Sequence, residues 1–172
     1  MVKTSLTASH FVHFDALASG LDGARKAAKP RAMSGAPRTL EDIAEEYLFL
    51  DGDERYRLLI ELGRELDDMP AALKTDATLV RGCSASVWVY PMAREDGRLH
   101  FLADSNAAIT KGIVALVIAA VQDRPAEEVA ATDIAACLEP FDLRNQLSSN
   151  RTQGVPNMIA LIRETATRLA QV

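Results

Sequence analysis

The sequence predicts an α+β fold: a small three-stranded antiparallel sheet with helices packed on one face. Three observations carry that expectation. Apolar residues recur at three- and four-residue spacing at both ends of the chain, a block rich in β-branched and aromatic residues lies between them, and an almost wholly apolar helical stretch follows that block. At 172 residues, with 48% hydrophobic and 25% charged side chains, the chain has the size and composition of one globular domain with room for a sizeable core.

Each element can be justified in order. Residues 1–37 mix Gly, Ala, Ser, Lys and Pro without a sustained period, so they read as a flexible N-terminal tail ahead of a folded domain at 38–172; a weakly basic, Ala-rich leader of this kind is also compatible with a transit peptide. Thr39 can cap a helix in which Leu40, Ile43, Ala44, Tyr47 and Leu48 share a face, with Glu41 and Asp42 suited to its positive end. Asp51-Gly52-Asp53 breaks it, and Tyr56, Leu59, Ile60, Gly63 and Leu66 mark a second helix that ends before Pro70. Three short strands follow, at Thr78 to Arg81, Ser86 to Met92 and Leu99 to Ala103, the last two joined by the turn residues Asp96-Gly97. Asp104 or Ser105 can cap the next helix, whose Ile109, Ile113, Val114, Leu116 and Val117 leave almost no polar face, so it must be covered on several sides. Arg124-Pro125 ends it. Ala126 to Val129 starts a short helix, Leu138 to Leu147 reads as a helix or turn with Phe141 and Leu143 inward, and the last helix carries Pro156 near its first turn and a stripe of Met158, Ile159, Ile162, Ala166 and Leu169.

Charge and cysteine usage narrow the function classes. The net charge is −5, with +4 in residues 1–38 and −9 in the remainder. An acidic body argues against nucleic-acid binding, which needs clustered Lys and Arg on the folded part. The longest apolar run, Ile113 to Val121, is nine residues, against about 20 for a bilayer span. Two cysteines, with no secretory signal in the sequence, point to a reduced, cytoplasmic chain. Metal and nucleotide chemistry find no pattern: no convergent Cys/His set, since His10 and His13 lie in the tail, and no GxGxxG, GxxxxGK[ST] or HExxH.

The candidate reactive residue is Cys83, in Leu79-Val80-Arg81-Gly82-Cys83-Ser84-Ala85-Ser86-Val87-Trp88. Gly82 lets the backbone bend between two apolar segments and present the thiol at a turn. The competing reading is a small apolar filler, but a filler needs neither a Gly nor flanking serines. Cys137, between Ala136 and Leu138, fits the filler reading. Arg81 and the N–H groups of the turn could favour the thiolate. Trp88 reads as a sheet-face aromatic that could instead line a pocket for the thiol, and His100 as a structural strand histidine on the face opposite Leu99 and Phe101.

Three separated segments carry a resemblance. Gly82-Cys83 with Val87-Trp88 resembles the GCxSxVW signature of the SufE family of sulfur-acceptor proteins. Asp104-Ser105-Asn106-Ala107-Ala108-Ile109-Thr110-Lys111-Gly112 is similar to that family's ADSDAxIxxGL helix start, with Asn106 where Asp is usual. Leu147-Ser148-Ser149-Asn150-Arg151-Thr152-Gln153-Gly154-Val155-Pro156-Asn157-Met158 is similar to its LSPSRSNGLxxM segment. Ser84 and Ala85 stand where Gln and Ser are frequent, Ser149 replaces a Pro, and Pro156 is an addition.

The resemblance implies a SufE/IscU-like fold over most of residues 40–170. It implies that Cys83 accepts persulfide sulfur from a cysteine desulfurase (SufS-like) for iron-sulfur cluster assembly on a scaffold (SufBCD-like). Such a chain is a sulfur-transfer partner and not a stand-alone enzyme. It implies no cofactor on this chain, since the desulfurase carries the pyridoxal phosphate, and no nucleic-acid or membrane partner. It also implies Arg151 near the thiol loop or the docking surface, with Asp104 a supporting residue or simply a helix cap. Two other readings stay open: a non-catalytic module that docks on a desulfurase and stimulates it allosterically, and a thiol hydrolase acting on a small molecule.

Overall fold

The computed structural model describes residues 38–171 and, within them, every side chain except those of Gln146, Asn150 and Arg151. The expected tail at residues 1–37 lies outside the described residues.

The helical hairpin forms where its caps put it. Helix α1 (Leu40–Phe49) starts at Thr39, whose hydroxyl accepts from Asp42 N–H at 3.1 Å while Asp42 accepts from Thr39 N–H at 2.9 Å. Helix α2 (Gly52–Glu65) repeats the device with Asp51 and Glu54, so both ends satisfy two otherwise orphaned N–H groups. Arg55 joins the two helices, donating from Nε to Tyr47 O at 3.1 Å with its guanidinium 4.8 Å from the Tyr47 ring centroid.

Strands β1 (Val87–Ala93) and β2 (Arg98–Ser105) form an antiparallel hairpin with register Val87 to Ser105 through Ala93 to Leu99. Their period of two sorts the side chains. Val87, Val89, Leu99, Phe101 and Ala103 enter the main core with α1, α2 and helix α3 (Ala108–Ala119); Trp88, Tyr90, Met92 and Leu102 face the other way, onto Met69 and Leu73 around a short 3₁₀ turn (Ala71–Leu73). Burying such side chains contributes about 1.5–3 kcal/mol each, so the helices gather on the face that carries most of the apolar strand residues.

The sheet has three strands, as expected, but not the three expected. The segment at Thr78 to Arg81 forms only a bridge, Leu79 to Trp88, closed by Val80 N–H to Val87 O at 2.8 Å and Val89 N–H to Thr78 O at 2.9 Å. The turn at Gly82 takes the chain out of register before a second pair can form. The third strand is β3 (Arg124–Pro125), which pairs with Arg98 and Leu99 of β2. Asp123, with φ of 56°, returns the chain to the sheet edge, and Pro125, lacking an N–H, limits the strand's length.

Helix α3 is buried from Gly112 to Ile118 because it lies between the sheet and α2. Its backbone touches α2 at Gly112, where an added methyl would sit 2.9 Å from Leu59 Cα and overlap the Leu59 carbonyl. Its N-cap is Ala107, with no side-chain cap. The sequence placed the cap at Asp104 or Ser105; Ser105 Oγ instead accepts from Ala107 N–H at 3.3 Å, and Asp104 is held by lysines. After α5 (Ile134–Cys137), the expected element at Leu138 to Leu147 is two short turns, a 3₁₀ turn (Glu139–Phe141) and α6 (Leu143–Gln146), broken where Asp142 adopts φ of 45°. Phe141 and Leu143 point inward as expected. Helix α7 (Ser149–Thr152) then leads to α8 (Val155–Leu169), which packs Met158, Ile162 and Ala166 into the core and lies against helix α4 (Ala126–Ala131).

Candidate functional site

The thiol loop is the five-residue excursion 81–85 between the Thr78–Val80 bridge segment and β1. Its base is fixed at both ends. Val80 pairs with Val87, and Ser86 N–H donates to Asn106 Oδ1 at 3.0 Å while Asn106 N–H donates to Ser86 O at 3.2 Å. Asn106, which stands where the resemblance leads one to expect Asp, keeps the acceptor oxygen that this loop base uses.

Gly82 has φ of +84°, the left-handed region that an L side chain enters only with strain. A methyl at Gly82 would also overlap the Asn157 amide. The bend it allows lays Cys83 over Gly154, the residue that caps the amino end of α8. The approach is so close that a methyl on Gly154 would overlap Cys83 Sγ. Two side chains of the helix start clasp the loop backbone: Gln153 Nε2 donates to Gly82 O at 3.0 Å and Asn157 Nδ2 to Arg81 O at 2.8 Å. Cys83 is half-buried against the main core.

Two effects bear on the state of this thiol. Burial disfavours the anion and pushes the Cys83 thiol above its ordinary range. The seat at the amino end of a 15-residue helix, with no acidic residue in the first turn, works the other way, because that end carries partial positive charge. The thiol stands above its ordinary range in this seat, so the resting group is a protonated, partly sheltered thiol.

The other expected site residues divide. Arg81 is in the loop and exposed, and it is the Arg81 carbonyl that is used in the clasp. Arg151 belongs to α7, two residues before Gln153, and its side chain lies outside the described residues. Trp88 does not line the thiol: it sits on the opposite sheet face with Met69, Leu73 and Leu102, with Lys74 Nζ 6.0 Å from its ring centroid. Strand alternation turns position 88 away from the core on which Cys83 rests. Asp104 is Trp88's partner across the ladder. Its carboxylate meets Lys74, Lys111 at 2.8 Å and Ser105 N–H at 2.8 Å. Burial alone would raise its pKa, but hydrogen bonds from Lys111, Lys74 and Ser105 outweigh it and hold the carboxyl below the usual range. Asp104 therefore ties the end of β2 to α3 and to the 3₁₀ turn.

His100 lies on the sheet face opposite Leu99 and Phe101, as its strand position suggests. It is buried, with Nε2 3.1 Å from Asp67 and Nδ1 2.9 Å from Asp123. Cys137 packs at the core edge. Among the described residues, no three His, Cys, Asp or Glu gather in a way that could hold a metal ion, and no helix is long and apolar enough to cross a membrane.

The residues that sequence reasoning missed are Gly154, which seats the thiol, and Gln153 and Asn157, which hold the backbone of its loop. They stand 71 to 76 positions along the chain from the loop residues they meet. The one available signal was their presence in a motif segment beginning at Leu147.

Comparisons with known proteins point to one family. The chain is 36% identical over 132 residues to an uncharacterized SufE-like protein of Rhizobium etli, an alignment covering 74% of this chain and 89% of that one. It is 36% identical over 132 residues to a second such protein, of Rhizobium meliloti, covering 74% and 94%. It is 37% identical over 103 residues to the sulfur acceptor protein CsdE of Escherichia coli, covering 60% of this chain and 70% of that one. The solution structure of a hypothetical protein from Thermus thermophilus superposes with a TM-score of 0.64 at 15% identity, over 80% of this chain and 100% of that one, and so shares the fold. Residues 41–166, which span the loop, the sheet and the clasping helix, match the Fe-S metabolism associated domain, and the chain belongs to the SufE family.

Proposed function

We propose that this protein is a cytoplasmic sulfur acceptor that takes persulfide sulfur from a pyridoxal-phosphate cysteine desulfurase onto Cys83 and hands it to an iron-sulfur assembly scaffold. The observation that carries the reading is the placement of Cys83: a half-buried thiol on a short, separately clasped loop, seated on Gly154. The CsdE relative, by its name a sulfur acceptor, supports the same assignment.

The chemistry is a thiol exchange that needs no external oxidant. The Cys83 thiolate attacks the terminal sulfur of the donor persulfide, R–S–SH. A sulfur–sulfur bond forms to Cys83 as the donor's own S–S bond breaks. The products are Cys83–S–SH and the donor thiolate R–S⁻, so the sulfane sulfur keeps its oxidation state and the negative charge passes to the donor. In the closed loop the raised pKa keeps Cys83 protonated, which suppresses adventitious reaction. Movement out of the seat removes the burial that raised it and returns the thiol toward its ordinary range, which increases the thiolate fraction available for attack. The cofactor acts on the partner; this chain supplies the thiol and its shelter.

The test is intact-mass analysis of the protein after incubation with a cysteine desulfurase and cysteine. One added sulfur that a reductant removes and that maps to Cys83 is expected. Cys83→Ser should abolish both the added sulfur and any stimulation of the desulfurase. Stimulation retained in Cys83→Ser would favour a purely allosteric docking module, and turnover of a small thiol substrate without any partner would favour a hydrolase.

A further inference from the structure

The geometry points to Gln153 and Asn157 as a two-amide latch that sets how often Cys83 leaves its seat. The latch itself is a property of the loop; its meaning as a control on sulfur transfer rests on the function proposed above.

The loop 81–85 is anchored at its base by the Val80–Val87 and Ser86–Asn106 pairs. Between those anchors the two helix-borne amides bond consecutive carbonyls, Arg81 O and Gly82 O. Positions 153 and 157 are one helical turn apart, so both project from the same side of the α8 start, with Gly154 next to Gln153. The thiol is thus held down by donors on either side of its seat. Lifting the Arg81–Gly82 backbone off the helix start breaks both of these amide bonds, while the bonds at the loop base can stay intact. Both donors belong to exposed side chains, where water competes for them, and a net hydrogen bond of this kind shifts an equilibrium about fivefold. The pair therefore holds the loop shut without sealing it. A partner that offers its own donors to Arg81 O and Gly82 O replaces the latch at little cost.

The test is the alkylation rate of Cys83 by iodoacetamide in the full chain, resolved by peptide mapping so that Cys137 is followed separately. Rates are compared at the high-pH plateau, where the thiol is fully ionised and altered pKa values do not enter. Asn157→Asp and Gln153→Glu keep shape but remove the donor N–H, and an acid at position 157, in the first turn of α8, suits the helix end. Each is expected to raise the Cys83 plateau rate about fivefold, and the pair about 25-fold, with an unchanged Cys137 rate and an undiminished melting temperature. A double variant whose Cys83 rate stays within about twofold of the parent, or whose Cys83 and Cys137 rates rise together, would overturn the latch. Faster alkylation in chains that accept no sulfur from a desulfurase would sink the acceptor reading and leave the latch standing. Normal sulfur acceptance with unmoved alkylation rates would do the reverse.

Discussion

At Cys83 two opposing effects meet in one side chain, and the pH dependence follows from their balance. Burial raises the folded-state pKa above the unfolded value of about 8.5. The folded state therefore holds its proton more tightly, so the contribution to stability is full below that unfolded value and is lost as pH rises through the folded pKa. Alkylation of Cys83 in the native chain should titrate with a midpoint above that of an unstructured cysteine peptide, and a midpoint at or below the peptide's would contradict the burial argument. Gly154→Ala sharpens the test. The backbone there, at φ −83°, accepts alanine, but the methyl would overlap the sulfur. Cys83 should be displaced outward, its midpoint should move toward the peptide value, and its alkylation at neutral pH should quicken about tenfold or more. Gly82 and Cys83 were legible in the sequence because a turn and a thiol announce themselves locally. The seat was not: no local pattern tells position 83 that it will lie on position 154. Trp88 shows the reverse case, since its proximity in sequence suggested a contact that strand alternation forbids.

Among the elements, the periodic ones were readable and the brief ones were not. Helices α1, α2, α3 and α8 carry repeated apolar spacing, caps or a first-turn proline, and each lies where its apolar spacing puts it, although α3 starts at Ala107 and not at the expected Asp104 or Ser105 cap. The β1–β2 hairpin likewise follows its alternation and its Asp96-Gly97 turn. By contrast Thr78 to Arg81 has strand composition but only one bridge, because Gly82 removes it from register, while Arg124-Pro125 has the composition of a helix end but pairs with β2. A two-residue strand is set by what it meets and not by its own residues. The α2–α3 crossing gives the test at this scale. Gly112 lies against the Leu59 backbone, and backbone cannot rotate away as a side chain can. Gly112→Ala gains helix propensity worth up to about 1 kcal/mol, but must separate two helices packed in the core. The loss should prevail, with net destabilisation of about 1–2 kcal/mol. It should appear as a lower urea midpoint with an unchanged slope; a midpoint equal to the parent's would show that the helices can part without cost.

Taken whole, the described residues share one continuous main core. The buried cluster runs from Ile43 to Ala166, α1 begins on its own Thr39–Asp42 capping box, and the connection into it, Arg38, is held by Glu46 at 3.0 Å and Glu65 at 2.9 Å. Those pairs are partly exposed and worth less than about 1 kcal/mol each. A chain beginning at Arg38 keeps all of these contacts. It loses five basic and two acidic residues, so its net charge goes from −5 to −8. Two consequences follow, and they separate packing from electrostatics. In moderate salt, where surface charges are screened over about 8 Å, the shortened chain should melt within about 4 °C of the full one. At low salt the extra negative charge repels itself, so the shortened chain should lose more stability than the full one as salt is withdrawn. The measurement is thermal unfolding of both chains across a salt series. A large drop in melting temperature that salt does not restore would mean that residues 1–37 contribute packing to the domain, and the domain boundary placed at residue 38 would then be wrong.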